Sequence, residues 1–217
     1  MAFFTDAQRA EQDRFESRGL ADAVSAAVLT NELDESQQAF IESRDFFFLS
    51  TVNDRGEPTV SYKGGGVGTV TVLDAQTIAF PAYDGNGMFL SLGNIQDTAK
   101  IGLLFIDFET PNRLRVQATA QFEIDSELLA KYPGAIGVVR AQIESVFVNC
   151  ARYIHAHERT SSSAYVPDAE GNQPVATWKR IDGLQGVLPP KDVGEVAAAG
   201  GTISAEAYAR ALADGKS

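Results

Sequence analysis

The sequence predicts a mainly β fold with flanking helices, built around a small antiparallel barrel. Three observations carry this reading. Short runs rich in Val, Ile, Phe and Thr recur through the middle of the chain. Gly, Asn and Asp turn signals separate them, and helix start signals cluster towards the two ends. Closing such strands into a barrel removes the exposed edges that invite aggregation. The 217 residues, 44% of them hydrophobic, are enough for one substantial core. No internal repeat or linker interrupts them. A single domain is therefore expected over 1–217, with N-terminal helices in 1–43, a barrel core in 44–150, and an irregular segment ending in a helix in 151–217.

The elements follow in order. Thr5 or Asp6 caps a first helix running towards Ser17, and Gly19 is expected to break it. Leu20–Leu29 is alanine-rich and reads as a second helix. Asp34 and Gln37 have capping-box spacing ahead of a third helix, whose apolar side is Ala39, Phe40 and Ile41. Phe46–Val52 is nearly all apolar, the pattern of a strand buried on both faces. Asn53-Asp54-Arg55-Gly56 turns the chain into a return strand at Thr59–Lys63. Thr69–Leu73 and Thr77–Pro81 form a second pair. Met88–Gln96 reads as a helix with Asn86 as its N-cap. Lys100–Phe108 and Arg113–Ile124 are two longer strands, and Ile143–Val148 is a further one. Ser161–Gly194 reads as irregular, and Ser204 caps a last helix to Asp214.

Charge and composition exclude several classes. The formal net charge of −11 opposes binding to a phosphate backbone, so no nucleic-acid partner is expected. Cys150 is the sole cysteine, which rules out an intrachain disulfide and fits a reducing compartment. Met1–Arg18 lacks an apolar signal core, and the strongly apolar run Ile101–Ile106 is too short to span a bilayer. A cytoplasmic protein without membrane contact is expected. No Gly-x-Ser-x-Gly nucleophile motif occurs. Cys150, His155 and His157 are zinc-competent types, but their spacing matches no defined site, so no metal is expected.

Four features point to a site. Gly64-Gly65-Gly66-Val67-Gly68 precedes a strand, so it is neither a Walker loop nor a dinucleotide turn; it reads as a bulged connection, or as a close approach to a flat ring. Lys63 ends a strand beside it and suits a phosphate or an electron-rich ring edge. Asp84-Gly85-Asn86-Gly87 leads into a helix whose N-terminal N–H groups suit an anion. Arg113, Arg115 and Gln117 alternate along one strand face and offer donors to a phosphate, a pyrimidine edge or a carboxylate.

The stretch 78–106, with Ser61-Tyr62-Lys63-Gly64 before it and Arg113-Leu114-Arg115-Val116 after it, resembles the pyridoxamine-5′-phosphate-oxidase-like flavoproteins, the FMN-binding split-barrel family. The likeness runs from Phe40 to Glu123. Asn149–Ile154 and Trp178-Lys179-Arg180 resemble features of a bacterial subgroup. The resemblance implies a six-stranded-type split β-barrel and a homodimer holding FMN non-covalently at its two-fold interface. It implies a cofactor site lined by Tyr62, Lys63, Pro81, Ala82, Asn86, Gly87, Met88, Ser91, Arg113, Arg115 and Gln117. In the oxidase proper, basic residues in the 85–88 region help to hold the phosphate. Here Gly87 and Met88 stand there, which leaves the phosphate to backbone amides, Asn86, Ser91 and more distant basic side chains. The activity implied is two-electron flavin chemistry on a small molecule, with no catalytic acid or base assigned. The alternative is a non-enzymatic protein that stores or senses flavin, or haem held by His155 or His157.

Overall fold

Seven antiparallel strands form one sheet: β1 (Phe46–Val52), β2 (Pro58–Gly64), β3 (Thr71–Asp74), β4 (Thr77–Tyr83), β5 (Lys100–Asp107), β6 (Asn112–Glu123) and β7 (Ala135–Val148). Their order is β2-β1-β5-β6-β7-β4-β3. The computed structural model describes residues 2–215. It divides into two units, Met1–Ser161 and Ser162–Ser217, and the sheet lies in the first.

Strand alternation sets where the core sits. Phe47, Leu49 and Thr51 of β1 are buried, while Phe46, Phe48 and Ser50 between them are only half-buried. The expectation of a strand buried on both faces is therefore corrected: one face packs inside, and aromatic neighbours partly cover the other. Phe105, Leu103, Leu114, Val116 and Val146 continue the inner face across β5, β6 and β7. Phe47 meets Phe80 edge-on at 5.0 Å. Strand β7 spans fourteen residues and pairs with both β6 and β4, so it begins well before the expected Ile143. Gly137 lies in that first half, where an added Cβ would sit 2.8 Å from the Glu123 carbonyl and inside the Phe122 ring contact. The packing admits no side chain there.

The helices of the first unit are α1 (Asp6–Arg14), α2 (Arg18–Val28), α3 (Glu35–Glu42) and α4 (Leu90–Thr98). Thr5 and Asp34 each form a reciprocal capping box, with Gln8 and Gln37. Gly19 does not break the helix; it lies inside α2, and the break falls earlier, where Glu16 turns with φ of 53°. Helix α4 starts two residues later than expected, and its N-cap is Phe89 in the left-handed conformation, not Asn86. Asn94 on α4 is buried and donates to Thr51 Oγ1 at 2.9 Å and Thr59 Oγ1 at 3.3 Å, which fixes the helix to β1 and β2.

The second unit is not wholly irregular up to Gly194. Two 3-10 turns, Thr177–Arg180 and Asp182–Val187, precede α5 (Pro190–Ala198) and α6 (Ala205–Ala213). Lys179 Nζ donates to Asp192 Oδ1 at 3.0 Å, both buried, and Ile181 bridges Ile203 in parallel. Ser204 caps α6, accepting from the Ala207 N–H at 3.2 Å. No helix among the described residues is long and apolar enough to cross a membrane.

Candidate functional site

The site residues expected from sequence fall on two faces of the sheet. Thr59, Ser61 and Lys63 alternate on the inner face of β2, opposite Thr51, Leu49 and Phe47. Helix α4 packs against this edge, and Ser91 in its first turn comes to 3.3 Å from Ser61, hydroxyl to hydroxyl. Lys63 is half-buried here and makes no hydrogen bond or ion pair with any described residue. Burial lowers its pKa from the usual lysine range, because charge is poorly solvated there. A half-buried ammonium without a counter-ion among the described residues, on the strand face that carries Ser61 towards the start of α4, suits an anion.

The other face carries Tyr62. Strand pairing aligns Tyr62, Phe48, Leu104, Arg115 and Phe147 as one row across five strands. Val60, Ser50, Gly102, Gln117 and Ser145 form the next row. Tyr62 stacks on Phe46 at 5.3 Å, and Phe46 stacks on Phe108 at 5.8 Å. Val60 is 69% exposed and Tyr62 62%. The Arg115 guanidinium lies 6.0 Å from the centre of the Phe147 ring and has no carboxylate partner among the described residues. Gln117 Oε1 accepts from Ser145 Oγ at 2.9 Å. Arg113 Nη2 donates to the Cys150 carbonyl at 2.8 Å, while Arg113 Nε and Asn149 Oδ1 are enclosed with no hydrogen-bond partner. The same-face reading of Arg113, Arg115 and Gln117 agrees with this register.

The remaining expected residues lie on β4 and the loop that leads from it to α4. Pro81 and Ala82 lie in β4, paired with Val138 and Gly137, and lead into it. Asn86, Gly87 and Met88 are exposed. The Asn86 amide is used locally: its Oδ1 accepts from the Met88 N–H at 3.1 Å and its Nδ2 meets Met88 Sδ at 3.2 Å. It therefore does not cap α4, and the loop offers backbone, not a basic side chain. Gly65 sits where an added Cβ would strike the Thr69 side chain, so the glycine loop is tightly folded there.

Ser61 and Asn149 carry the family resemblance in the sequence but are not among the expected site residues. Ser61 shares a face with Lys63 by simple alternation, which was a usable signal. Nothing local marks Asn149 as a site residue; its surroundings depend on which helix crosses β7. Cys150 is exposed, and no cluster of three metal-ligating side chains occurs among the described residues. The His157 ring packs edge-on against Phe108 at 5.0 Å, and the His157 backbone N–H donates to the Phe108 carbonyl at 3.0 Å.

Residues 33–147 match a family model described as pyridoxamine 5′-phosphate oxidase. Among solved structures, a putative pyridoxamine 5′-phosphate oxidase from Lactobacillus delbrueckii is 30% identical, with 54% of this chain and 95% of that chain covered and a TM-score of 0.45. An FMN-binding protein from Syntrophomonas wolfei is 14% identical, covering 65% of this chain and 97% of that one, with a TM-score of 0.43. HutZ, the haem storage protein of Vibrio cholerae, is 22% identical over 54% of this chain and 94% of its own, with a TM-score of 0.38. A comparison with curated proteins finds no match.

Proposed function

The chain belongs to the pyridoxamine 5′-phosphate oxidase family, and from that membership we propose that it is an FMN-dependent oxidoreductase acting on a small molecule as a cytoplasmic homodimer. Lys63 carries this reading. Its half-buried ammonium has no partner among the described residues, Ser61 shares its strand face, and Ser91 at the start of α4 lies 3.3 Å from Ser61. That donor set fits a phosphate dianion, with the exposed backbone of Asn86–Met88 close along the chain.

Bound FMN supplies two-electron transfer. The chain's own residues bind and orient it. Lys63, Ser61 and Ser91 hold the phosphate. Arg115 and Gln117 offer donors to a polar ring edge, and Tyr62 offers an aromatic face on the same side of the sheet, three strands away. These two groups lie on opposite faces of one sheet, so one chain's Lys63 and Arg115 do not line a common pocket. A second copy resolves this: its outer face completes the site that the first copy begins. The exposed Val60 and Tyr62, with half-buried Phe46 and Phe48, provide the apolar surface such an isologous contact needs.

The alternative, a non-enzymatic protein that stores or senses flavin or haem, draws on the 85–88 loop, which carries no basic side chain. One experiment separates the two ligands. Apoprotein titrated with FMN is expected to quench flavin fluorescence with saturation at micromolar concentrations, about −8 kcal/mol. No quenching at tens of micromolar FMN, together with an intense haem absorption band on adding hemin, would overturn the flavin reading.

A further inference from the structure

A cavity of about 280 Å³ lies between the N-terminal helices and the outer face of β7. Phe4, Val24, Val28 and Phe147 give it apolar walls, and the polar side chains lining it are Ser25 and Asn149. The wall is fixed in place. Just beyond α2, Thr30 exchanges two backbone hydrogen bonds with Val146, at 2.9 and 2.7 Å. The space would hold roughly nine waters at ~30 Å³ each, yet apolar walls give water few partners.

Charge beside the cavity narrows what it can take. Phe147 is both a wall of the cavity and the cross-strand neighbour of Arg115. Asn149 lies one step past the Leu114–Val148 pair, which places it beside Arg113 on the same face. Arg113 has no carboxylate partner among the described residues, in a chain with 29 acidic and 18 basic side chains. Its Nε and the Asn149 Oδ1 are enclosed without hydrogen bonds, so a donor and an acceptor go unmet at this end. Turning the Asn149 amide over would present its NH₂ group instead, which makes two donors.

We propose that this cavity binds a medium-chain aliphatic carboxylate, its hydrocarbon body against Phe4, Val24, Val28 and Phe147 and its carboxylate at Arg113 and Asn149. Apolar walls alone would take a neutral hydrocarbon. The guanidinium without a counter-ion is what selects an acid. The site is separate from the Lys63 cradle, and its wall Phe147 neighbours Arg115 of the proposed flavin contact.

Calorimetric titration of the full chain at neutral pH tests this with three probes: octanoate, octan-1-ol and acetate. Octanoate is expected to bind, with octanol and acetate each weaker by about tenfold or more, since one has the body without the charge and the other the charge without the body. Val24→Trp fills the cavity from a half-exposed helix position and is expected to abolish octanoate binding. Arg113→Gln is expected to bring octanoate down to the level of octanol while leaving octanol unchanged. The comparison of probes on the unaltered chain stands even where a variant fails to fold. Equal affinity for octanoate and octanol, no octanoate binding at about 1 mM, or full affinity in a folded Val24→Trp would each overturn the proposal. Loss of dimer in Val24→Trp without octanoate binding to the unaltered chain would mean that a second copy fills the cavity, and the proposal fails. FMN titrations run alongside report separately on the flavin site.

Discussion

Replacing Lys63 by Met should separate cofactor binding from folding more cleanly than any other single change. The methionine keeps the aliphatic stem that packs opposite Phe47 and removes only the ammonium. Two unit charges 4 Å apart attract by about 4 kcal/mol at an effective dielectric of 20, a ceiling for the contact. Charge-assisted hydrogen bonds deliver about 1.5–3 kcal/mol net. Lys63 has no partner among the described residues to give up and is already partly desolvated, so the upper part of that range applies. FMN affinity should fall roughly 30- to 150-fold, read by fluorescence quenching. The apoprotein should respond in the opposite sense. Burial lowers the folded-state pKa of Lys63 below its unfolded value. The unfolded chain therefore holds more protons between those two pKa values, and stability rises with pH across that window. Below it the charged amine costs stability, so Lys63→Met should melt higher than the unaltered apoprotein at neutral pH, with the gap closing in strong alkali. FMN affinity of the unaltered chain should decline as pH rises through the same window, because the neutral amine no longer attracts a phosphate. Unchanged FMN affinity in a folded Lys63→Met would refute the cradle, and a large loss of apoprotein stability would refute the claim that the amine is uncompensated.

Three further outcomes follow from the packing. Gly137→Ala should cost about 1–3 kcal/mol by urea unfolding, since the new methyl meets the Phe122 ring and the Glu123 carbonyl; a neutral result would mean that β6 and β7 are looser than described. Asn94→Ala should cost about 1–3 kcal/mol by removing the amide that donates to Thr51 and Thr59, although those two hydroxyls keep their own 2.9 Å hydrogen bond. Val60→Glu should leave the monomer's fold intact, because the side chain is exposed in the isolated chain, and should shift the protein to monomer in sedimentation by burying an unpaired charge at the contact. A persistent dimer would place the interface elsewhere.

The parts of the fold written in local chemistry were legible in the sequence. Thr5 with Gln8 and Asp34 with Gln37 specify helix starts through bonds three residues apart. The bounds of β1 follow from its apolar run. What failed depends on distant contacts. The first half of β7 is broken by Gly137, Arg140 and Gln142, and it is a strand because β6 and β4 hold it from both sides. Phe89 caps α4 from a left-handed conformation that no residue preference favours, while Asn86 closes a turn of its own. Alternation alone placed Arg113, Arg115 and Gln117 together, whereas Tyr62 and Lys63, expected in one site, lie on opposite faces of β2. Which partners those faces meet needed the register Tyr62–Phe48–Leu104–Arg115, which links four strands and has no local signal. The cavity over β7 was hidden for the same reason, since it exists only where α2 crosses the sheet.

Mixed dimers of two defective variants test the shared site most directly. Lys63→Met and Arg115→Ala each damage one half of it. If Lys63 of one copy and Arg115 of the other line the same pocket, a hybrid dimer carries one intact site and one doubly damaged site. After subunit exchange in an equal mixture, about a quarter of all sites should then bind FMN with unaltered affinity. The fluorescence titration should show that tight fraction as a separate first phase, absent from either variant alone. A mixture that behaves as the simple sum of the two variants, with subunit exchange verified, would contradict a site built from two copies of this chain.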